Sequence, residues 1–335
     1  MIHPRQWVEI RKEGLYLVPG QCYIDPIYPV HCAIITHAHT DHAHENHKKV
    51  IAHEDTVSIM QLRYGEECAQ HFISLDYFHK ISVNGINLYL LPAGHVLGSA
   101  QVVIEYSGYR IIISGDYKRS FDPTCPPFVV ETCDVFITEA TFSLPVFKHP
   151  PIEQEIDKLL SSVTAFPERC HLIGVYALGK CQRLIKTLRM MGYKKTIYLH
   201  GALKKLCDFY QLHGIDLGDL QLASELDLNS SKGTIVLSPP SALRDKWSRR
   251  FANVVIGMAS GWMQIRARAK QKGIELPLII SDHADWPELT QTLLEVNPQE
   301  VWVTHGREEA LVHYAIQNGY QAQALHLLGY EEQED

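Results

Sequence analysis

No run of apolar residues in this 335-residue chain approaches the roughly 20 needed to cross a bilayer. The opening Met1-Ile2-His3-Pro4-Arg5-Gln6 has no basic segment backed by an apolar one. A membrane-bound or secreted product is therefore not expected, and the cytoplasm is the expected address. The eight cysteines, at 22, 32, 68, 125, 133, 170, 181 and 207, contain no Cys-x-x-Cys pair. That excludes a thiolate zinc knuckle and a small disulfide frame, and reduced core thiols are expected instead. There is no internal repeat and no low-complexity stretch, which excludes a solenoid. The acidic stretch Glu331-Glu332-Gln333-Glu334-Asp335 is expected to fray.

What is present is a core and an excess of histidine. At 46% hydrophobic and 21% charged, the chain can bury one large domain or two ordinary ones. Nineteen histidines, several beside aspartate, make metal binding the first question. The net charge of −7 seems unsuited to a polyanionic partner, but it is unevenly spread. Residues 151–275 carry 19 basic side chains against 11 acidic ones, and the flanking parts carry 12 against 27. A basic piece is set into an acidic body, as phosphate binding would require.

Prolines 145, 150 and 151 mark a break near residue 150, after which 152–163 has the period of an amphipathic helix. From there apolar segments at 172–176, 196–199 and 234–237 alternate with helical ones at 180–191, 203–212 and 241–250, the mark of a parallel α/β layer. The first 145 residues run mostly strand after strand, and the last 60 return to strand and helix. The expectation is an α/β protein with an α+β body formed by 1–150 and 276–335, and an inserted α/β domain at 151–275.

The chemistry lies at the ends of six apolar segments. Residues 33–36 lead into His37-Ala38-His39-Thr40-Asp41-His42, 88–92 into Ala93-Gly94-His95, and 111–114 into Gly115-Asp116. Residues 135–138 lead into Glu139, 278–281 into Asp282-His283, and 301–304 into His305. A single strand-terminal histidine is usually solvated or satisfied in place. Six metal-type residues at strand ends, which layered sheets bring to one rim, are not a coincidence of that kind. In His-x-His-x-Asp-His an extended backbone puts His37, His39 and Asp41 on one side, and a turn swings His42 away. Imidazole and carboxylate without thiolate suit Zn²⁺ or Mn²⁺ and leave positions open for water, as a catalytic site needs.

The segment His37 to His42 resembles the signature of the metallo-β-lactamase fold, with His95 and Asp116 standing where that superfamily has its third histidine and its bridging aspartate. Glu139, Ser281-Asp282-His283-Ala284-Asp285 and Val303-Thr304-His305-Gly306 resemble motifs A, B and C of the β-CASP nucleases. Further stretches cover nearly the whole chain. Among them are Gly14-Leu15-Tyr16-Leu17-Val18-Pro19-Gly20, residues 93–100, Ser114-Gly115-Asp116-Tyr117-Lys118-Arg119 and Ser281 to Trp286. These are similar to the ligase-associated DNA exonucleases, relatives of the SNM1/Artemis repair nucleases.

The resemblance implies a four-layer αββα metallo-β-lactamase body with an inserted β-CASP domain. It implies two divalent metal ions, zinc or manganese, one held by His37, His39 and His95 and the other by Asp41, His42 and His305, with Asp116 bridging. His283 would protonate the leaving oxygen and Glu139 would tune it, completing a catalytic set with Asp41 and Asp116. The implied activity is exonucleolytic hydrolysis of single-stranded DNA in repair, with 5′ to 3′ polarity suggested by the SNM1 kinship. A DNA ligase and a helicase are the implied functional associates. His305 departs from the DNA-repair relatives, which tend to have valine there, and matches the RNA-processing members, so RNA is the alternative substrate.

For substrate contact, Lys118 and Arg119 follow Asp116 at once, and Gly179-Lys180 opens a helix after a strand. The remaining basic residues of 151–275 are expected to be solvated for the most part. Trp286 and Trp302 are expected in the core. His44, His47, His53, His71, His79, His149, His171 and His200 are expected to be ordinary surface or core histidines.

Overall fold

The computed structural model describes residues 1–227 and 231–327; the acidic stretch 331–335 lies outside them. Among the described residues the chain forms two compact units, Met1–Lys148 with the chain from His283 onward, and His149–Asp282.

The first unit begins with β1 (Val8–Arg11), β2 (Gly14–Leu17), β3 (Cys22–Ile24), β4 (Cys32–Ile34), β5 (His47–His53), helix α1 (Glu54–Tyr64) and β6 (Ala69–Leu75). These six strands pair in chain order, antiparallel up to β3 and parallel from β3 to β6. Then come β7 (Ile81–Val83), β8 (Ile86–Pro92), β9 (Ala100–Tyr106), β10 (Tyr109–Ile113) and β11 (Val135–Ala140). The second unit intervenes before the last two helices and two strands of the first.

In the second unit α2 (Ile152–Ala165), β12 (Cys170–Gly174), α3 (Lys180–Met190), β13 (Ile197–Leu199), α4 (Gly201–Leu212), β14 (Leu220–Leu222), β15 (Ile235–Ser238), β16 (Val254–Ala259), α5 (Arg266–Gln271) and β17 (Leu276–Leu278) follow one another. The strands form an all-parallel sheet in the order β14-β13-β15-β12-β16-β17. Such a sheet has strands that read as near-continuous apolar runs, as Cys170 to Gly174, interrupted by His171, and Ile235 to Ser238 do, both wholly buried. The segment expected as a helix at 241–250 is instead two short 3-10 turns, Pro240–Arg244 and Ser248–Arg250. Asp245 between them has extended dihedrals, so the turns do not join. The strand preceding Asp282 also differs from expectation. It is β17, and it pairs with β16 in this unit's sheet instead of joining the body.

The first unit is completed by α6 (Trp286–Val296), β18 (Glu300–Gly306), α7 (Glu308–Gln317) and β19 (Gln321–Ala324). Its second sheet runs β19-β18-β11-β10-β9-β8-β7. Both faces of this sheet are covered, which follows from the alternation of its side chains. Leu88, Leu90, Val102, Ile104, Ile111, Ile113 and Ile137 pack against Leu15, Leu17, Ile34 and Ile51 of the first sheet. Tyr89, Leu91, Val103, Ile112, Phe136 and Val303 pack against Leu289, Leu293 and Leu311 of α6 and α7. With α1 lying on β5 and β6, the layers are helix, sheet, sheet and helix, the αββα body expected. Trp302 is buried and Trp286 packs on the helical side, both in core positions. No described helix is long and apolar enough to cross a membrane.

Candidate metal centre

Three strand ends deliver their residue at the same offset. His37 lies three residues beyond the end of β4, His95 three beyond β8, and Asp116 three beyond β10. Glu139 and His305 sit within the last residues of the neighbouring parallel strands β11 and β18. β18 carries one residue more than β11 between the pairs Thr138–Val303 and Ala140–Gly306. This bulge puts His305 in the left-handed region, φ 57°, which re-aims its side chain. Gly306 follows at φ 99°, where a Cβ would run into the carbonyl of Ala140, so no other residue fits there.

The side chains meet in groups that share Asp116. His37, His39, His95 and Asp116 offer ligand atoms that all lie within 4.8 Å of one another, as do His42, Asp116 and His305. His39 Nδ1 is 3.1 Å from His37 Nε2 and 3.0 Å from His95 Nε2. Three imidazole nitrogens converging at that spacing have the arrangement of ligands around one cation bound at about 2 Å. The turn after His39, closed by the N–H groups of His42 and Ala43 donating to the His39 carbonyl, carries His42 to the second group. There His42 Nε2 is 3.3 Å from Asp116 Oδ2, and its ring stacks on that of His305 at 4.9 Å. Asp41 stands further out, 3.8 Å from His42 Nε2. Asp116 Oδ1 is buried and accepts no hydrogen bond among the described residues, as expected of an oxygen reserved for a cation. The donor set fits two divalent metal ions held through nitrogen and oxygen.

Electrostatics leave His37, His305 and Asp116 in the forms that bind a cation, whereas His42 holds a proton that metal binding would displace. Burial lowers the affinity of His37 for a proton, and the neighbouring His42 and His95 lower it further. Burial likewise lowers His305, with His42 adding to it. For His42 burial is opposed by Asp116 and Asp41, whose charges hold it well above the ordinary histidine value. For Asp116 burial is overcome by His42 and His283, which hold the carboxyl well below its usual range. Asp116 is thus ionised at neutral pH, ready to share its charge between two sites.

A third group contains Asp116, Glu139 and His283. His283 Nδ1 is 3.0 Å from Glu139 Oε2 and 3.9 Å from Asp116 Oδ2, and Glu139 Oε1 accepts the N–H of Tyr117 at 2.7 Å. A buried carboxylate held from both sides fixes the tautomer and orientation of the ring beside it.

Sequence reasoning missed Asp25. Its Oδ2 is 2.8 Å from His42 Nδ1 and accepts the hydroxyl of Thr36 at 2.6 Å, while its Oδ1 accepts the Thr36 N–H at 2.7 Å. Thr36 Oγ1 in turn is 3.1 Å from His37 Nδ1. One carboxylate therefore orients a histidine of each metal group. Asp25 precedes Pro26 in a turn, and nothing local distinguishes it from an ordinary turn aspartate.

The three expected phosphate contacts are all paired. Lys118 Nζ is 2.7 Å from Glu288, and its side chain is 5% exposed. Arg119 bonds Thr292 and Glu295 at 3.0 and 2.5 Å. Lys180, inside the second unit, is 3.0 Å from Asp282 and lies over the Tyr176 ring. Lys118 and Lys180 face inward, not to solvent. Of the other histidines, His53 and His200 cap helices, accepting the N–H groups of Asp55 and Ala202. All eight cysteines are free thiols, six of them buried.

No family model matches the chain. Over 318 residues, 94% of this chain, it is 26% identical to a protein of Opitutus terrae named "Probable DNA ligase", spanning 30% of that protein. It is 25% identical over 294 residues to cleavage and polyadenylation specificity factor subunit 3-I of Arabidopsis thaliana, covering 71% of this chain and 42% of that one. It is 34% identical over 142 residues to endoribonuclease ysh1 of Emericella nidulans, covering 41% of this chain and 15% of that one. The chain thus spans less than half the length of each of these relatives. Among solved structures, a protein of unknown function from Enterococcus faecalis V583 superposes with a TM-score of 0.58 at 15% identity, covering 92% of this chain and 81% of that one, a likeness of fold.

Proposed function

We propose that the chain is a metallo-β-lactamase/β-CASP protein, as its motifs and its likeness to the relatives above support, and that it is a metal-dependent nuclease that hydrolyses the phosphodiester bonds of single-stranded DNA from an end. The observation that carries a hydrolase is that Asp116 belongs to three side-chain groups, two of metal-ligand type and one containing a carboxylate-held histidine. His37, His39 and His95 would hold one cation and His42 and His305 the other, with Asp116 serving both and Asp41, which stands further out, adding to the second. Two cations so placed supply charge that favours a deprotonated water near neutral pH and offsets the charge of a phosphoryl transition state. With Glu139 engaging Nδ1 of His283, the transferable proton is the one on Nε2, and it passes to the oxygen leaving phosphorus. Zinc or manganese suits these ligands.

DNA is favoured by the relative named as a DNA ligase, which matches nearly the whole chain, and that name also supports functional association with a ligase. RNA is the second reading, favoured by His305 and by the relatives named endoribonuclease and cleavage and polyadenylation factor. The test is incubation of the wild type and Asp116→Ala with Mn²⁺ or Zn²⁺ and end-labelled single-stranded DNA and RNA of one sequence. Stepwise shortening of DNA, absent in the variant, is the expected result and reveals the attacked end. Faster cleavage of RNA moves the assignment to RNA processing, and cleavage of neither overturns the nuclease reading.

A further inference from the structure

The residues after Asp116 are tied to three of the segments around the metal centre. Tyr117 donates its N–H to Glu139, and its carbonyl accepts the N–H of Ala284, next to His283, at 2.7 Å. The N–H of Lys118 donates to the carbonyl of Ala93, two residues before His95, at 3.1 Å. Between them Gly94 adopts φ 74°, and a Cβ there would strike the Lys118 carbonyl, so this crossing is tight. The Lys118 side chain then turns inward to Glu288, the third residue of α6. That carboxylate is shared three ways. Oε2 also accepts the N–H of Asp285 at 3.1 Å, closing the helix cap, and Oε1 accepts the N–H of Ser120 at 2.7 Å.

We infer that Lys118 and Glu288 are a positioning pair that fixes the loop of His283 against the loop of Asp116. The inference rests on the reading of His283 as proton donor, and it replaces the expected phosphate contact of Lys118 with an internal one. The physical reason is that an almost buried ammonium facing a partly buried carboxylate leaves the survivor uncompensated if either is removed. The survivor then seeks water and drags its loop with it. Glu288 holds backbone on both sides, at Ser120 and at Asp285, so the displacement reaches the 3.9 Å approach of His283 to Asp116. A shift of about 1 Å in a proton donor is enough to cost catalysis while leaving substrate binding intact.

The experiment compares Lys118→Met, Glu288→Gln and the double variant with the wild type. Glutamine at the third helical position retains the capping contacts, so Glu288→Gln keeps the test alive should Lys118→Met fail to fold. Expected are a fall in kcat of about 10–100-fold in each single variant, KM within about twofold, and bound metal by elemental analysis equal to wild type. The double variant is expected to be no worse than the worse single one, since the two act as a unit. In a crystal structure of Glu288→Gln the separation of His283 Nδ1 from Asp116 Oδ2 is expected to open beyond 3.9 Å. A raised KM with unchanged kcat in Lys118→Met, together with an unaltered Glu288→Gln, overturns the inference and restores the phosphate contact. An unchanged His283 geometry in the variant crystal overturns it whatever the kinetics. Absence of turnover by the wild type sinks the nuclease reading alone, because the crystallographic comparison still judges the pair.

Discussion

Two histidines proposed to hold metal, His42 and His37, are oriented by one carboxylate. Asp25 reaches His42 directly and His37 through Thr36. Replacing it by asparagine keeps the size but removes the charge that steadies His42. We predict that Asp25→Asn weakens metal binding by about 10–100-fold, read by titration of the metal-free protein with Mn²⁺ or Zn²⁺; affinity equal to wild type refutes the role. His283 makes the opposite prediction. His283→Asn should bind metal as the wild type does and lose on the order of 10²–10⁴ in kcat. A parallel loss of bound metal would falsify its assignment as a proton donor.

At the scale of elements, the bulge of β18 and the start of α1 each concentrate consequences. Gly306→Ala places a Cβ in the carbonyl of Ala140 at a left-handed backbone position. A loss of stability of about 2 kcal/mol or more in urea unfolding is expected, with weakened metal binding because His305 is re-aimed. The start of α1 depends on a neutral ring, since His53 Nδ1 accepts the N–H of Asp55, and His47, at the other end of β5, accepts the N–H of Val30 at its Nδ1. Burial lowers both from the ordinary 6.5 to about 4. In the folded protein both rings therefore stay neutral where the unfolded chain takes up protons. Their contribution is complete above pH 6.5 and shrinks as pH falls from there to about 4, by on the order of 2 kcal/mol each. Denaturant midpoints across that range test this, and His53→Asn, which caps without titrating, should flatten the dependence.

For the whole molecule, the uneven charge is what makes a polyanionic substrate compatible with a net charge of −7. Residues 151–275, with their excess of eight positive charges, are expected to supply the phosphate contacts. Single-stranded DNA binding by Asp116→Ala should weaken by on the order of tenfold or more between roughly 50 and 200 mM salt. Binding indifferent to salt contradicts that. Metal binding at the proposed centre should add to stability at the same scale. A chelator should lower Tm and Mn²⁺ should restore it, by the linkage of binding to folding.

The strand-rich body and the parallel insert could be read from the sequence because each rests on a local period, whereas the four-layer αββα arrangement was implied only by the resemblance of motifs such as His37 to His42. Residues 88–92 of β8, all buried, are apolar, and helix Ile152–Ala165 keeps its stripe. Helix α1 was not legible, since Glu54–Tyr64 hardly segregates apolar from polar residues and is helical because its tertiary setting makes it so. The sequence by itself determined the kind of side chain at each strand end, and hence a metal chemistry of nitrogen and oxygen. Only the tertiary structure decided which of these meet at Asp116, that Asp25 orients two of them, and that Lys118 faces a carboxylate within the protein. Ligand identity is a local property, whereas convergence, orientation and pairing are made by residues such as Asp25 and His42, or Lys118 and Glu288, that are far apart in the chain and close only when it folds.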